Sequence, residues 1–279
     1  IVCAHSSFSD FLDAQFCNVL LRIEPEAGDG YEMMMQSMPG GVWSMTDFFV
    51  TSAGIIGSET TIRGFNAFCL RDPICCRIRE CMQYGRTLED YAERLQKRNS
   101  GDYACSWMFG DVGGKPRIMR VELGLNYVNV ETTRDGVFLG FNSAYDERIR
   151  NIECTSALSS KAATDATGVG MIDGGGSGGS GWRDVSSSIG NRRVQLEKLT
   201  EKYRGRIDTD VMKRILADHF DNHLGKTAAN TRTVCKHGYE SGAGVGAGGG
   251  AGGGAGGGGG EGGAPFKPVG AYDTKIADS

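Results

Sequence analysis

Short apolar runs separated by turn-forming residues dominate the chain up to Cys154. These runs are rich in β-branched and aromatic residues, and the turns between them contain Pro and Gly, as in "EAGDG" and "MPGG". This pattern is typical of antiparallel hairpins. We therefore predict antiparallel strands in "CNVLLRIEP", "YEMMMQSMPGGVWS", "FFVTSAGIIGSETTI", "CSWMFGD", "PRIMRVELGL", "YVNVETT" and "GVFLGFN".

Two amphipathic helices interrupt the strands. In the first, Asp72 is the predicted N-cap and Pro73 takes the first helical position. The second begins at Thr87, which forms a capping box with Asp90. Helical spacing predicts one apolar face made of Ile74, Ile78, Cys81 and Met82, and a second made of Leu88, Tyr91, Ala92 and Leu95. Strands, two helices and more strands predict an α+β fold.

Composition divides the chain into five segments. Residues 1–154 form the predicted core, and 155–190 are a Gly/Ser-rich insertion that cannot bury enough surface to offset its ordering entropy. Residues 191–237 recover helical periodicity, with a break at Gly205 and a new cap at Asp208. Residues 238–264 are a Gly-rich insertion, and 265–279 return to the core domain. "GAGVGAGG" fits a loose G-x-G-x-x-G pattern, but it has no preceding strand or following helix, so we interpret it as low complexity.

Individual residues of "FVTSAGIIGSETTI" also carry information. Gly54 and Gly57 indicate a bend or a close approach to the backbone. Thr60 and Thr61 point to opposite faces of the strand, so at most one of them is expected to line a given site.

Charge and hydropathy exclude several function classes. The 279 residues are 39% hydrophobic and carry a net charge of −4, with a pI near 5.7. This composition allows a substantial core but provides no basic footprint for nucleic acid. The longest apolar runs are far shorter than a bilayer span, so no transmembrane segment is predicted.

Cysteine and histidine usage leaves a question open. Nine cysteines are an odd number, so at least one is unpaired within the chain. In "ICCRIREC" we interpret Cys75, Cys76 and Cys81 as packing residues. His219, His223, Cys235 and His237 form a weak zinc-binding pattern. The alternative is that the histidines are ordinary surface or helix-capping residues.

Several blocks in order carry a resemblance to a known family. They are "AHSSFSDF", "PGGVWSMTDFFVTSAGIIGSETTI", "RNSGDYACSWMFGD", "GFNSAYDERIRNIEC" and "VGAYDTKIADS". Together they resemble the phospholipase B-like family, which is related to the acyl-transferases and linear-amide hydrolases of the N-terminal-nucleophile superfamily. The resemblance implies a four-layer αββα sandwich of two antiparallel sheets, incomplete in this chain.

The resemblance also implies a chemistry and a set of site residues. An N-terminal cysteine attacks an amide or ester carbonyl of a lipid-like acyl substrate, with its own α-amino group as the base. Asn142 matches the residue that stabilises the oxyanion. His5 matches a histidine that orients substrate or tunes the thiolate, and Thr60 or Thr61 matches a threonine beside the site. The candidates for substrate contact are Asp10, Trp107 and Arg150. Of these, Asp10 is expected mainly to hold its loop by hydrogen bonds.

Two departures from the family pattern accompany these expectations. The nucleophile is expected upstream of residue 1, so the chain is interpreted as an inactive fragment, and Cys3 is not an N-terminus that replaces it. Cys105 and Ser106 stand where many relatives carry an Asn and an acidic or amide residue, which leaves the substrate open. No cofactor or metal is implied, and the localisation is lysosomal or extracellular by resemblance alone. The alternatives are a non-catalytic relative with the same fold and a metal-binding module.

Overall fold

The computed structural model describes residues 1–10, 14–154, 182–240 and 267–278. The helices are α1 (Ile74–Tyr84), α2 (Leu88–Gln96), α3 (Ser188–Lys202) and α4 (Thr209–Leu216), and a π-helical turn spans Ile149–Glu153. The strands are β1 (Val2–Asp10), β2 (Val19–Ile23), β3 (Met33–Ser37), β4 (Phe48–Thr51), β5 (Ile55–Thr61), β6 (Cys105–Asp111), β7 (Arg117–Leu123), β8 (Val128–Thr133), β9 (Phe220–Asp221), β10 (Lys226–Thr227), β11 (His237–Glu240) and β12 (Lys267–Asp278). None of the described helices has the length and apolar character that a bilayer span requires.

The larger sheet is an antiparallel meander of seven strands in chain order, from β2 to β8. In its centre, β5 pairs with β6 over their full lengths, from Ile55 opposite Asp111 to Thr61 opposite Cys105. Because side chains alternate along a strand, odd-numbered residues of these two strands share one face. Phe49, Ile55 and Phe109 on this face are almost fully buried.

Helices α1 and α2 cover that face of the sheet. The ring of Tyr91 lies 5.0 Å from that of Phe109 and packs in a stacked orientation against Phe49. The two predicted apolar faces are confirmed, since all eight of their residues belong to this core. Cys81 is fully buried, whereas Cys76 is exposed, so the packing interpretation holds for Cys81 and is wrong for Cys76.

A second, smaller sheet lies against the first. Its strand order is β1, β12, β11, all antiparallel. Strand β1 contacts β5 of the larger sheet, and α4 contacts β1 and β12. A separate apolar cluster under α3 and α4 contains Phe141, Leu196, Val211, Ile215 and Val234. The predicted α+β class, with two antiparallel sheets between helical layers, is confirmed.

Three local predictions differ from the structure. Residues 136–142 do not form the predicted strand, because Asn142 has a left-handed backbone (φ 66°) and the segment crosses the end of β5. Asp72 is not the N-cap of α1. Pro73 takes that position without a side-chain cap, and Asp102 Oδ2 accepts the Ile74 N–H at 2.8 Å instead. Helix α3 begins at Ser188, before residue 191, and is capped by Ser187. The predicted restart at Asp208 is confirmed, since its side chain accepts the Val211 N–H at 2.8 Å.

The glycines of β4–β5 have distinct roles. Gly54 adopts φ +80° in the turn between the two strands. A Cβ added at Gly57 would overlap the ring of Phe49 on the neighbouring strand. The close approach predicted from the sequence occurs at Gly57, whereas at Gly54 the segment does not bend as one strand but turns from β4 into β5.

Thr87→Ala is expected to lower the free energy of unfolding by about 1 kcal/mol, because it removes the N-cap of α2. The Thr87 hydroxyl accepts the Asp90 N–H at 3.2 Å, and Asp90 accepts the Thr87 N–H at 3.3 Å. Denaturant titration measures the change. Thr87→Ser is the matched control and keeps most of the stability, whereas equal losses in the two variants would show that the hydroxyl does not cap the helix.

Candidate active site

A cavity of about 1400 Å³ lies where β1, the end of β5, residues 136–142 and the helices α3 and α4 meet. Four residues predicted from the sequence line it: His5, Thr60, Thr61 and Asn142. They come from three segments that are far apart in the chain. The fold therefore brings the predicted catalytic set to one cavity.

Asn142 is held in place by three backbone and side-chain contacts. Its N–H donates to Thr60 Oγ1 at 3.2 Å, and its carbonyl accepts the Arg63 N–H at 3.2 Å. Its side-chain Nδ2 donates to the carbonyl of Thr61 at 3.1 Å. A side-chain amide has two N–H groups, so one orients Asn142 and the other can donate to a ligand oxygen.

Thr60 and Thr61 both border the cavity. This differs from the expectation that at most one would do so, because Thr61 is the last residue of β5 and the cavity continues past the strand end to Arg63 and Tyr103. Thr60 carries the hydroxyl that accepts the Asn142 N–H, and the Thr61 hydroxyl contacts the Tyr103 hydroxyl at 2.6 Å. The Thr60 hydroxyl and the Thr61 carbonyl therefore position Asn142.

His5 lies on β1, with its side chain 12% exposed at the cavity wall. Its Nε2 is 3.6 Å from Oδ2 of Asp47, which precedes β4 and has a left-handed backbone (φ 61°). His5 and Asp47 thus place a polar pair at the cavity wall, since both residues line it.

Glu59 is a buried acid that the sequence analysis did not single out. Its side chain is fully buried, and Oε1 accepts the Tyr103 hydroxyl at 2.8 Å. Burial raises the pKa of Glu59, and side-chain hydrogen bonds with Asp47, Cys105 and Tyr103 offset only part of this effect. The signal was present in "IIGSETTI": Glu59 shares its strand face with Ile55 and Gly57, so alternation places its carboxyl on the buried face.

The thiols near the cavity are poor nucleophiles. Cys3 lines the cavity on β1, and burial raises its pKa to about 11, with a Ser58 hydrogen bond acting in the opposite direction. Burial also raises the pKa of Cys105 well above its usual range. Because the thiolate is the attacking form, neither residue is activated at neutral pH.

Comparisons with known proteins add structural likenesses only. No protein-family model matches the chain, and no curated protein matches it. Two similar solved structures are variants of conjugated bile acid hydrolase from Clostridium perfringens, 14% and 16% identical, each with a TM-score of 0.40. Each alignment covers 67% of this chain and 62% of the hydrolase chain, so this chain spans less than two thirds of the length of these structures.

Two of the three predicted substrate contacts, Trp107 and Arg150, are not among the described residues that line the cavity. Trp107 lies on the opposite, helix-facing side of the sheet, with its ring stacked 6.0 Å from Phe109. Arg150 is buried and donates to the carbonyls of Ala144 and Tyr145, so it is neither solvated nor at the cavity. The side chain of Asp10 lies outside the part of the chain that the structure describes. The placement of Trp107 and Arg150 favours structural roles for both.

The possible metal ligands form a second cluster. His219, Cys235 and His237 have ligand atoms within 4.8 Å of one another, whereas His223 is not part of the group. Burial lowers the pKa of His237, and the neighbouring His219 acts in the same direction. Three of the four residues predicted from the sequence are therefore brought together.

Glu59→Gln is expected to become increasingly stabilising relative to the wild type as the pH rises. Because burial raises the pKa of Glu59 in the folded state, the contribution of this residue to stability is complete below the unfolded pKa of about 4.3 and is lost as the pH rises through the folded pKa. Gln retains an acceptor for the Tyr103 hydroxyl. Denaturant titrations of both proteins between acidic and neutral pH measure the difference, and a pH-independent difference would contradict a raised pKa of Glu59.

Proposed function

We propose that this chain forms the core of a phospholipase B-like hydrolase that cleaves amide or ester bonds in lipid-like acyl substrates. The observation that supports this proposal is the meeting of His5, Asn142, Thr60 and Thr61 around one cavity between the two sheets. The family resemblance implies these four residues from the sequence alone, independently of where the fold places them. A fold that placed them on unrelated surfaces would have offered no support.

In the proposed reaction, a cysteine N-terminal to β1 supplies the thiolate. Its sulfur attacks the acyl carbonyl carbon, and the carbonyl oxygen takes the negative charge. The second N–H of Asn142 Nδ2 donates to this oxygen, while the first N–H keeps the side chain bonded to Thr61. The leaving amine or alcohol takes a proton from the α-ammonium group, and water then releases the acid from the thioester.

The cavity lining supports an acyl chain as the substrate. The cavity volume of about 1400 Å³ exceeds the roughly 300–1,000 Å³ of ordinary small-molecule pockets. The walls of the cavity include many apolar side chains, which would cover an alkyl chain: Phe8, Met108, Leu139, Leu196, Met212 and Ile215. Burial of each methylene group contributes about 0.8 kcal/mol, so long acyl chains are favoured over short ones.

The test uses a protein that includes the cysteine-bearing segment N-terminal to β1 that the proposal requires. Long-chain and two-carbon N-acyl amides and O-acyl esters are the substrates, and mass spectrometry measures the released acid. We expect hydrolysis with a preference for long chains, and labelling of an N-terminal cysteine by an iodoacetamide probe. Residues 1–279 alone are the control, because the proposal assigns the nucleophile to a residue outside them.

Two results would contradict the proposal. Absence of both turnover and cysteine labelling in the longer protein would exclude the thiol mechanism. Binding of the long-chain substrates without turnover would support the alternative of a non-catalytic relative with the same fold.

A further inference from the structure

His219, Cys235 and His237 form a compact group of nitrogen and sulfur donors. Nε2 of His237 lies 2.9 Å from Nε2 of His219 and 3.2 Å from Sγ of Cys235. His219 lies just before β9, and His237 is the first residue of β11. All three side chains are partly buried. The donor atoms thus come from two separate segments and point to one position.

Hydrogen bonding alone does not satisfy this arrangement well. A neutral imidazole nitrogen has one in-plane position, which holds either a proton or a lone pair. Nε2 of His237 faces two partners at hydrogen-bonding distance, so only one of them can meet that position with good geometry. A cation between the three atoms would use the lone pairs of both imidazoles and of the sulfur at the same time.

The distances are close to those of a tetrahedral metal site. Zinc–nitrogen and zinc–sulfur bonds of about 2.0–2.1 Å and 2.3 Å place tetrahedral ligand atoms roughly 3.3–3.6 Å apart. The two contacts of His237, at 2.9 and 3.2 Å, need to open by only a few tenths of an ångström. All three donor atoms already lie within 4.8 Å of one another.

We propose that His219, Cys235 and His237 bind one Zn²⁺ ion or a similar divalent transition-metal cation, with water as the fourth ligand. Two imidazoles and one thiolate form a borderline-soft donor set that suits Zn²⁺ and excludes the oxygen-preferring Mg²⁺ and Ca²⁺. When the metal–sulfur bond forms, the Cys235 thiol releases its proton to solvent. The site is independent of the proposed hydrolase chemistry.

The position of the site indicates a structural role. Val234 and Lys236, the residues on either side of Cys235, line the large cavity. A metal bound to Cys235 and His237 would tie this wall, and the start of β11, to the segment that follows α4. Bound metal is therefore expected to stabilise the cavity wall and raise the melting temperature of the protein.

The test measures Zn²⁺ and Co²⁺ binding to the purified full chain after treatment with a chelator. We expect one high-affinity Zn²⁺ per chain by calorimetry, and tetrahedral Co²⁺ absorption with a thiolate-to-cobalt charge-transfer band. Removing even an outer-shell partner of a metal typically lowers affinity roughly 10- to 100-fold, so His237→Ala is expected to lower it at least tenfold. Cys235→Ser should abolish the charge-transfer band.

Matched controls separate this site from other donors in the chain. His223→Ala removes a histidine four residues from His219 that is outside the cluster, and Cys76→Ser removes an exposed thiol. Both variants should bind Zn²⁺ like the wild type and show the same increase in melting temperature. Unchanged Co²⁺ spectra in Cys235→Ser, or the absence of stoichiometric Zn²⁺ in the wild type, would overturn the proposal. If His237→Ala does not fold, the spectrum of Cys235→Ser decides the question.

Discussion

Asn142→Gly is expected to lower kcat of the proposed hydrolase roughly 10²- to 10³-fold, the range typical for loss of one oxyanion donor. Glycine is the appropriate substitution because residue 142 has φ 66°, where a Cβ is disfavoured and alanine would add backbone strain. The backbone N–H that donates to Thr60 is kept, so the loop can retain its position. Steady-state kinetics on a long-chain acyl substrate, in the protein that carries the nucleophile, measures the effect.

The division between kcat and KM identifies the origin of the loss. An interaction made only in the transition state lowers kcat and kcat/KM equally, whereas uniform binding changes KM alone. Asn142→Asp has nearly the same shape without the N–H donors and should also lower kcat. Arg98→Gly is the matched control, because Arg98 also has a left-handed backbone (φ 52°) but is not among the cavity-lining residues. A loss confined to KM in Asn142→Gly would contradict the oxyanion role.

Periodicity predicted most of the fold because the core has a simple geometry. The apolar residues of α1 and α2 face one side of the meander, so a stripe such as Leu88, Tyr91 and Leu95 has only one surface to bury. The strands of the meander are consecutive in the chain, so every pairing is local except that of β5 with β6, which the two helices separate. Short apolar runs with clear turns between them were therefore enough to predict the strands of this sheet.

The failures occur where a tertiary contact replaces a local preference. "GVFLGFN" has the composition of a strand, but its backbone is used to carry Asn142 across the end of β5, where Thr60 and Thr61 bind it. The N-terminus of α1 is capped by Asp102, a residue on a distant loop, so no local pattern at Asp72 could reveal it. Both contacts involve residues far apart in the chain, and neither has a signal within a short sequence window.

The candidate site shows the same division. Resemblance selected His5, Thr60, Thr61 and Asn142, but it did not include their partners Asp47, Glu59 and Tyr103. Asp47 and Tyr103 are recognisable only from the fold, because Asp47 approaches His5 across the two sheets and Tyr103 bridges Thr61 and Glu59. For Glu59, alternation along β5 indicates the buried face but not the hydrogen-bond partner. Motif order can thus select reacting groups without identifying the residues that hold them.

Trp107→Ala is expected to lower the free energy of unfolding by about 3–5 kcal/mol, the range for removing a large aromatic side chain from a core. Trp107 is 2% exposed and packs among the residues between the seven-stranded sheet and the helices α1 and α2. Trp107→Phe should cost less, because it retains the stacked ring. It also removes an indole N–H for which no acceptor lies within hydrogen-bonding distance among the described residues. Denaturant titration of both variants measures these losses.

Met108→Ala provides the matched control, because the adjacent residue on β6 points to the opposite face and lines the cavity. Truncation there enlarges the cavity, so we expect a smaller loss of stability than in Trp107→Ala and a change in KM for long-chain substrates. For Trp107→Phe we expect the reverse, an altered stability with unchanged KM. The sequence alone suggested a substrate contact at Trp107, which would raise KM in Trp107→Phe at unchanged stability. The two substitutions on neighbouring residues therefore distinguish the helix-facing core from the cavity wall, because successive side chains of a strand point to opposite faces.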